Sequence, residues 1–131
     1  MAYASRTEVT VDRSRAEIEK TLKRYGADRF AYFTETDRAI IVFEARDRRI
    51  RFDLPLGKIS EQLTMTRWRA LLLCIKAKLE SVDSKIETFE EAFLAHVVLP
   101  DGMTVMQHTR DRIESAYKGG EMQALLPAPK K

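Results

Sequence analysis

Four arginines fall close together near the middle of the chain, at Arg46, Arg48, Arg49 and Arg51. A guanidinium group is always charged at neutral pH, and its fork of donors matches the oxygens of a phosphate. β-like runs flank the cluster, so these side chains are predicted to lie at a hairpin whose tip projects from a sheet. Such a tip would neutralise nucleic-acid phosphates without reading the base sequence.

A second set of basic residues is predicted on the longest helix of the chain. Arg67 lies on one edge of the apolar stripe of that helix, and Arg69 and Lys76 lie on the other. The residues predicted to bind nucleic acid are therefore Arg46, Arg48, Arg49, Arg51, Arg67, Arg69 and Lys76. The competing interpretation is an ordinary mixed, solvated surface, because Asp47 and Asp53 interrupt the hairpin cluster.

The two histidines, His96 and His108, are the other side chains suited to chemistry, and they fall in neighbouring predicted helices. Acid–base or nucleophilic catalysis needs groups that converge. His96 lies in an apolar stretch, which favours a core or boundary role. A metal site that adds Glu91 or Asp111 has no recognised ligand spacing. We therefore expect no catalytic residue, no metal and no cofactor, and the chain is not expected to be an enzyme.

The composition is typical of a globular protein rather than a disordered one, with 44% hydrophobic residues and a formal net charge of +3. The 131 residues predict a single domain, 1–131, with flexible ends at 1–6 and 127–131. The lone cysteine, Cys74, lies in an apolar helical pattern and is expected to be buried. The N-terminal charge is followed by no apolar segment, and the longest apolar run, 70–75, is too short to span a bilayer. A cytoplasmic location without a membrane partner is expected.

Hydrophobic periodicity predicts an α+β fold: an N-terminal helix, a three-stranded antiparallel meander and three further helices, in the order α-β-β-β-α-α-α. The first helix is predicted to begin with a capping box at Ser14 and Glu17 and to end at Gly26. A short strand is predicted before it, within residues 1–13. The strands of the meander are predicted in the runs 30–33, 39–43 and 50–54.

The helix predicted over residues 66–82 has the strongest apolar stripe in the chain, and we expect this stripe to pack against the third strand. The residues expected in this contact are Trp68, Leu72, Ile75 and Leu79 on the helix and Ile50, Phe52 and Leu54 on the strand. Two further capping boxes, in residues 88–91 and 104–107, predict the starts of the last two helices.

The second predicted strand, 39–43, is apolar on both of its faces. A strand of this kind is usually central and covered on both sides. Residues 122–126, after the last predicted helix, are also largely apolar. We therefore expect the second face of the sheet to be covered either by this C-terminal segment or by a second copy of the chain in a homodimer.

Three stretches carry a resemblance to known proteins: WRALLL at 68–73, IKAKLE at 75–80 and FLAHVVLPDGMTV at 93–105. With the LLP at 125–127, they resemble a family of small phage and prophage proteins, and the likeness covers nearly the whole chain. Members of that family carry no assigned activity, so the resemblance implies a setting, which is a bacterial cytoplasm during phage growth. Small basic proteins in that setting tend to serve DNA replication, recombination or packaging, or to block a host defence system.

The first functional hypothesis is a nucleic-acid-binding accessory protein of phage or prophage DNA metabolism. The order helix, three strands, helix is similar to that of the double-stranded-RNA-binding domain, although residues 66–69 do not match the basic motif that opens the second helix there. The alternative is a phage-encoded inhibitor that binds a host enzyme or defence protein through an apolar sheet face or the tail.

Overall fold

The computed structural model describes residues 7–120, 122 and 124–126, and it confirms the α+β fold class and the predicted element order. The ends at 1–6 and 127–131, for which flexibility is predicted, lie outside the described residues. The elements are α1 (Val11–Arg24), β1 (Arg29–Thr34), β2 (Arg38–Ala45), β3 (Arg48–Pro55), α2 (Glu61–Asp83), α3 (Phe89–Phe93) with a 3₁₀ turn (Leu94–His96), and α4 (Val105–Gly119).

The sheet is antiparallel with the strand order β1-β2-β3, and its pairing register assigns every strand residue to one of two faces. The inner face packs on the helices and buries Ile41, Phe43, Ile50 and Phe52. The opposite side is called the outer face from here on. The outer face consists of Arg29, Ala31 and Phe33 of β1, Arg38, Ile40, Val42 and Glu44 of β2, and Arg49, Arg51 and Asp53 of β3.

The long helix α2 supplies much of the core, as its apolar stripe predicts. All four predicted stripe residues are buried in the same cluster as Ile50 and Phe52, and Leu54 packs partly buried against that cluster. The helix begins at Glu61, earlier than the predicted 66, because the Ser60 side chain accepts a hydrogen bond from the amide of Leu63 and caps the helix there.

The start of α1 differs from its prediction. Thr10 is the N-cap, because its hydroxyl oxygen accepts a hydrogen bond from the amide of Arg13 at 3.2 Å, so the helix begins at Val11. The predicted short strand is therefore wrong within residues 7–13. The predicted Ser14 capping box is also wrong: Ser14 lies inside the helix, fully buried, and its hydroxyl has no hydrogen-bond partner.

These two positions predict opposite stability changes. Thr10→Ala should lower the free energy of unfolding by about 1 kcal/mol, because it removes a helix cap. Ser14→Ala should raise it by about 1 kcal/mol, since alanine favours the helix and leaves no unpaired hydroxyl in the core. Urea denaturation of the two variants beside the parent measures both changes. A loss of stability in Ser14→Ala equal to that of Thr10→Ala would show that Ser14 is the working cap.

The other two predicted capping boxes are confirmed. At the start of α3, the Thr88 hydroxyl accepts the amide of Glu91, and the Glu91 carboxylate accepts the amide of Thr88. Thr104 and Gln107 make the same exchange at the start of α4. Both helices therefore begin at the predicted residues, with their first free amides satisfied by side chains.

Candidate nucleic-acid interface

The outer face is open to solvent at its centre. β2 alternates regularly, with its inner-face residues buried and its outer-face residues only partly buried. In the neighbouring strand β1, Ala31 is exposed and the Phe33 side chain is 57% exposed. No described segment of the same chain therefore covers the outer face of β2, and the predicted alternative, coverage by a second copy in a homodimer, stays a prediction. Both faces of β2 are apolar, as the sequence shows, but only the inner face belongs to the core. The outer face is an apolar surface.

The C-terminal segment packs elsewhere, as far as the structure describes it. The carbonyl of Ala124 accepts a hydrogen bond from Arg112 of α4 at 2.7 Å. Met122 and Leu125 line a shallow apolar cavity of about 420 Å³ together with Ile113 and Tyr117 of the same helix. The described tail residues thus lie against α4, and the prediction that this segment covers the sheet is wrong for them.

Two arginines share one carboxylate at one end of the outer face. The Arg29 Nε lies 3.5 Å from one oxygen of Glu44, and the Arg49 Nη2 lies 3.1 Å from the other. The register places Arg29, Glu44 and Arg49 in one row across the three strands. Because the two side chains are 78% and 58% exposed, this end of the face presents two guanidinium groups and one carboxylate to solvent.

Arg38 occupies the opposite end of the outer face. Its Nε donates to Glu35 at 2.8 Å, and its Nη1 lies 3.4 Å from Asp53. The hydrogen bond and charge of Glu35 raise the pKa of Arg38 above its ordinary value. Like every arginine, this side chain is charged at neutral pH. The outer face as defined carries four arginines against the two carboxylates of Glu44 and Asp53, and its surplus charge is therefore positive.

Arg51, the fourth arginine of the outer face, is held in place by the protein itself. Its guanidinium donates to the carbonyl of Gly102 at 2.9 Å and to the side chain of Gln107 at 2.8 Å. The side chain is only 21% exposed. Gln107 also belongs to the capping box of α4, so Arg51 ties β3 to the start of that helix. The main role of Arg51 is therefore to hold β3 against the start of α4 rather than to bind a ligand.

The hairpin tip turns towards the helical side. The guanidinium carbon of Arg46 lies 5.6 Å from the centre of the Phe89 ring, and Arg48 Nε donates to Glu90 at 2.8 Å. Both partners belong to α3. The residues at the turn, Arg46 and Asp47, have positive φ angles of 50° and 60°, as tight two-residue hairpins require. The four hairpin arginines are thus divided between the two sides of the sheet.

The basic residues predicted on α2 lie apart from the outer face. Arg67 Nη1 donates to the carbonyl of Pro55 at 2.5 Å, and Arg69 Nη1 donates to Glu17 of α1 at 2.9 Å. Lys76 is exposed on the same helix. Of the seven residues predicted to bind nucleic acid, the structure therefore places two, Arg49 and Arg51, on the outer face.

The arginines and the aromatic residue of this surface that the predicted set lacks are Arg29, Arg38 and Phe33. The available signal is the alternation of the β1 run, which puts Arg29, Ala31 and Phe33 on one side. This alternation identifies a surface only when the pairing register shows that Arg29, Ala31 and Phe33 lie on the uncovered face of the sheet.

The histidines have structural partners. The ring of His96 stacks on Phe52 with centroids 4.0 Å apart, and burial, with the nearby charge of Lys78, lowers the pKa of His96 below its ordinary value. His108 Nε2 lies 2.6 Å from Asp101. Within residues 7–120, 122 and 124–126, no three His, Cys, Asp or Glu side chains are arranged to hold a metal ion. Cys74 is exposed on α2, so the expectation that it is buried is wrong.

The fold and surface define an antiparallel sheet backed by helices on one face and open on the other, where arginines frame an apolar centre. Comparison with protein-family models, with curated proteins and with solved structures found no match to this chain. No helix in the described part of the chain is long and apolar enough to cross a membrane.

Proposed function

We propose that this protein is a nucleic-acid-binding accessory protein of phage or prophage DNA metabolism, and that it holds a single strand on its outer face. The observation that carries the proposal is Phe33, an aromatic ring 57% exposed on an open sheet face between arginines. Single-strand-binding surfaces combine such rings, on which bases stack, with cations that follow the backbone. The phage setting depends on the sequence resemblance.

The partners of three outer-face arginines, Arg29, Arg38 and Arg49, leave them available to a phosphate. The pairs that Glu44 makes with Arg29 and Arg49 are on the surface, where solvent and salt screen an ion pair to a small net value. When a nucleic-acid phosphate takes the place of the Glu44 carboxylate, each guanidinium can donate two hydrogen bonds to it. These bonds are charge-assisted, and binding also releases counterions from the nucleic acid. We therefore expect Arg29, Arg38 and Arg49 to exchange their present partners for nucleic acid.

The apolar centre supplies the second part of the contact. Phe33 and Ile40 are directly opposite in the register, and Ala31 and Val42 form the adjacent pair. One base stacked on an aromatic side chain contributes about 1–3 kcal/mol whatever the base. The two ends of the face, Arg38 and Glu44 of β2, are six residues and thus about 20 Å apart at ~3.3 Å per residue. This length suits a short stretch of single strand.

Replacing Phe33 with alanine tests the proposal. Phe33→Ala should raise the dissociation constant for a single-stranded oligonucleotide by about 5- to 150-fold, because one stacking contact is lost. Titration by fluorescence anisotropy, with single- and double-stranded DNA and RNA at two salt concentrations, measures the change. Tyr117→Ala is the matched control, since Tyr117 is an aromatic residue 89% exposed on α4, away from the sheet.

Three results would count against the outer face as the binding surface. The first is an unchanged dissociation constant in Phe33→Ala, and the second is an equal loss in Tyr117→Ala. The third is the absence of any binding by the parent at about 50 mM salt, where phosphate contacts are strong. Circular dichroism of both variants checks that the fold is retained.

A second candidate function is an inhibitor that binds a host enzyme or defence protein. The apolar surface beside α4 favours it, because Tyr117 and Met122 are 89% and 83% exposed there. Binding of this kind should survive high salt and should be lost in Tyr117→Ala while Phe33→Ala leaves it intact. The same pair of variants therefore separates the two functions.

A further inference from the structure

The two edges of the sheet differ. The free side of β3 is partly covered, because Val98 donates to the carbonyl of Arg49 at 2.8 Å and Val97 bridges to Ile50. Within the described part of the chain, β1 pairs with β2 alone. An uncovered strand with exposed apolar side chains is a template for pairing with another strand.

The hydrogen-bond pattern of the hairpin shows which backbone groups of β1 face the open edge. Glu35 donates to the carbonyl of Arg38 at 2.8 Å, where the hairpin closes. Bonded and non-bonded pairs alternate along an antiparallel ladder, so the amides and carbonyls of Ala31 and Phe33 point to β2. Those of Phe30, Tyr32 and Thr34 point outward and can accept a second strand.

We propose that β1 pairs in antiparallel fashion with β1 of a second copy of this chain, which forms a homodimer with a continuous six-stranded sheet. The two-fold axis passes beside Tyr32, so that Tyr32 faces the partner's Tyr32, and Phe30 faces the partner's Thr34. A closed two-fold contact uses the same patch on both copies and therefore requires a self-complementary strand.

The sequence of β1 together with the next residue, Glu35, is self-complementary in this register. Arg29 lies opposite the partner's Glu35 at each end, which makes two pairs of opposite charge on the outer face. Between them, the small Ala31 lies opposite the partner's large Phe33. Symmetric registers centred on Ala31 or on Phe33 do not place Arg29 opposite the partner's Glu35. They also do not place the small Ala31 opposite the partner's large Phe33. Cross-strand pairs of these kinds stabilise a sheet, whereas like charges oppose it.

The side chains that this pairing needs are accessible. Arg29 is 78% exposed and Glu35 is 47% exposed, while Tyr32 is 42% exposed at the edge. On the helical side, Arg15 stacks over the Tyr32 ring at 4.2 Å, and its charge is already paired with Asp12 at 2.5 Å. Two copies of Arg15 near the axis therefore add little repulsion.

The dimer extends the proposed function, although its test is independent of it. Pairing at β1 joins two outer faces into one surface that contains both Phe33 rings. A single strand pair buries less area than a standard interface, so we expect a dissociation constant between about 1 μM and 1 mM. The parent chain alone, without nucleic acid, should approach twice its monomer mass in sedimentation equilibrium as its concentration rises.

A charge exchange tests both the edge and the register. Arg29→Glu should raise the dissociation constant of the dimer at least about tenfold, because it places like charges opposite each other at both ends. Glu35→Arg should do the same. The double variant, Arg29→Glu with Glu35→Arg, should return to within about threefold of the parent, since the opposite charges face each other again.

Arg49→Glu is the matched control, because Arg49 loses the same intramolecular partner, Glu44, but lies on β3. Its dimer should match that of the parent. The proposal is overturned by a parent that is monomeric up to about 1 mM. It is equally overturned by a double variant that stays as weak as the single ones, or by an Arg49→Glu variant as weak as Arg29→Glu. Nucleic-acid binding without any dimer would leave the proposed function standing and reject the dimer alone.

Discussion

Replacing Phe93 with alanine is expected to lower the free energy of unfolding by about 3–5 kcal/mol, the range for a large aromatic residue lost from a core. Phe93 is fully buried at the end of α3. Its ring meets Phe43 and Phe52 of the sheet edge-to-face, with centroids 5.7 and 6.3 Å away, and it lies 4.8 Å from Phe89. The residue therefore joins the helical half of the chain to the sheet.

Leu94→Ala is the control for this prediction. Leu94 is the next residue in the chain, yet its side chain is 48% exposed, so its removal should cost less than about 1 kcal/mol. Phe93→Leu should fall between the two, because it keeps most of the buried volume and loses the ring contacts. Urea denaturation monitored by circular dichroism gives all three values. Similar losses at positions 93 and 94 would mean that the aromatic cluster does not hold the two halves together.

The core could be predicted from local pattern. The stripe of α2, the strand runs and two capping boxes each depend on spacing within a few residues, and all of them lie where they are predicted. The first helix shows the limit of this reasoning. Ser14 and Glu17 form a good capping-box pattern, but Thr10 caps first, and Glu17 instead accepts a hydrogen bond from Arg69 of α2.

The candidate site could be predicted only in part, because it depends on contacts between distant segments. Arg48 and Arg49 are neighbours in sequence, yet one pairs with Glu90 of α3 and the other lies on the outer face. The sequence pattern of β2 likewise shows two apolar faces without showing which one the helices cover. Pairing register and helix placement decide both points, and each is determined by the whole fold rather than by spacing along the chain.

Removing the outer-face arginines is the prediction with the largest expected effect on binding. In the triple variant Arg29→Ala, Arg38→Ala, Arg49→Ala, affinity for a single-stranded oligonucleotide at about 50 mM salt should fall about 100-fold or more, since three charge-assisted contacts are lost. The slope of log affinity against log salt concentration should become shallower by about 2, because each phosphate contact on a single strand contributes about 0.7 to that slope and three contacts are lost. The loss should be similar for different base sequences, because phosphate contacts position rather than specify.

A second triple variant with the same change in charge separates the outer face from general electrostatic attraction. Arg46→Ala, Arg48→Ala and Lys76→Ala remove three exposed cations from outside the outer face, and either variant reduces the formal net charge of +3 to zero. Anisotropy titrations at several salt concentrations should show this control variant binding within about fivefold of the parent. Arg46 and Arg48 contact Phe89 and Glu90 of α3, and Lys76 lies on α2, so none of the three side chains belongs to the outer face. Equal losses in the two variants would mean that binding follows net charge and that the outer face has no special role. A large loss in the control alone would instead locate the contact at the hairpin tip and α2.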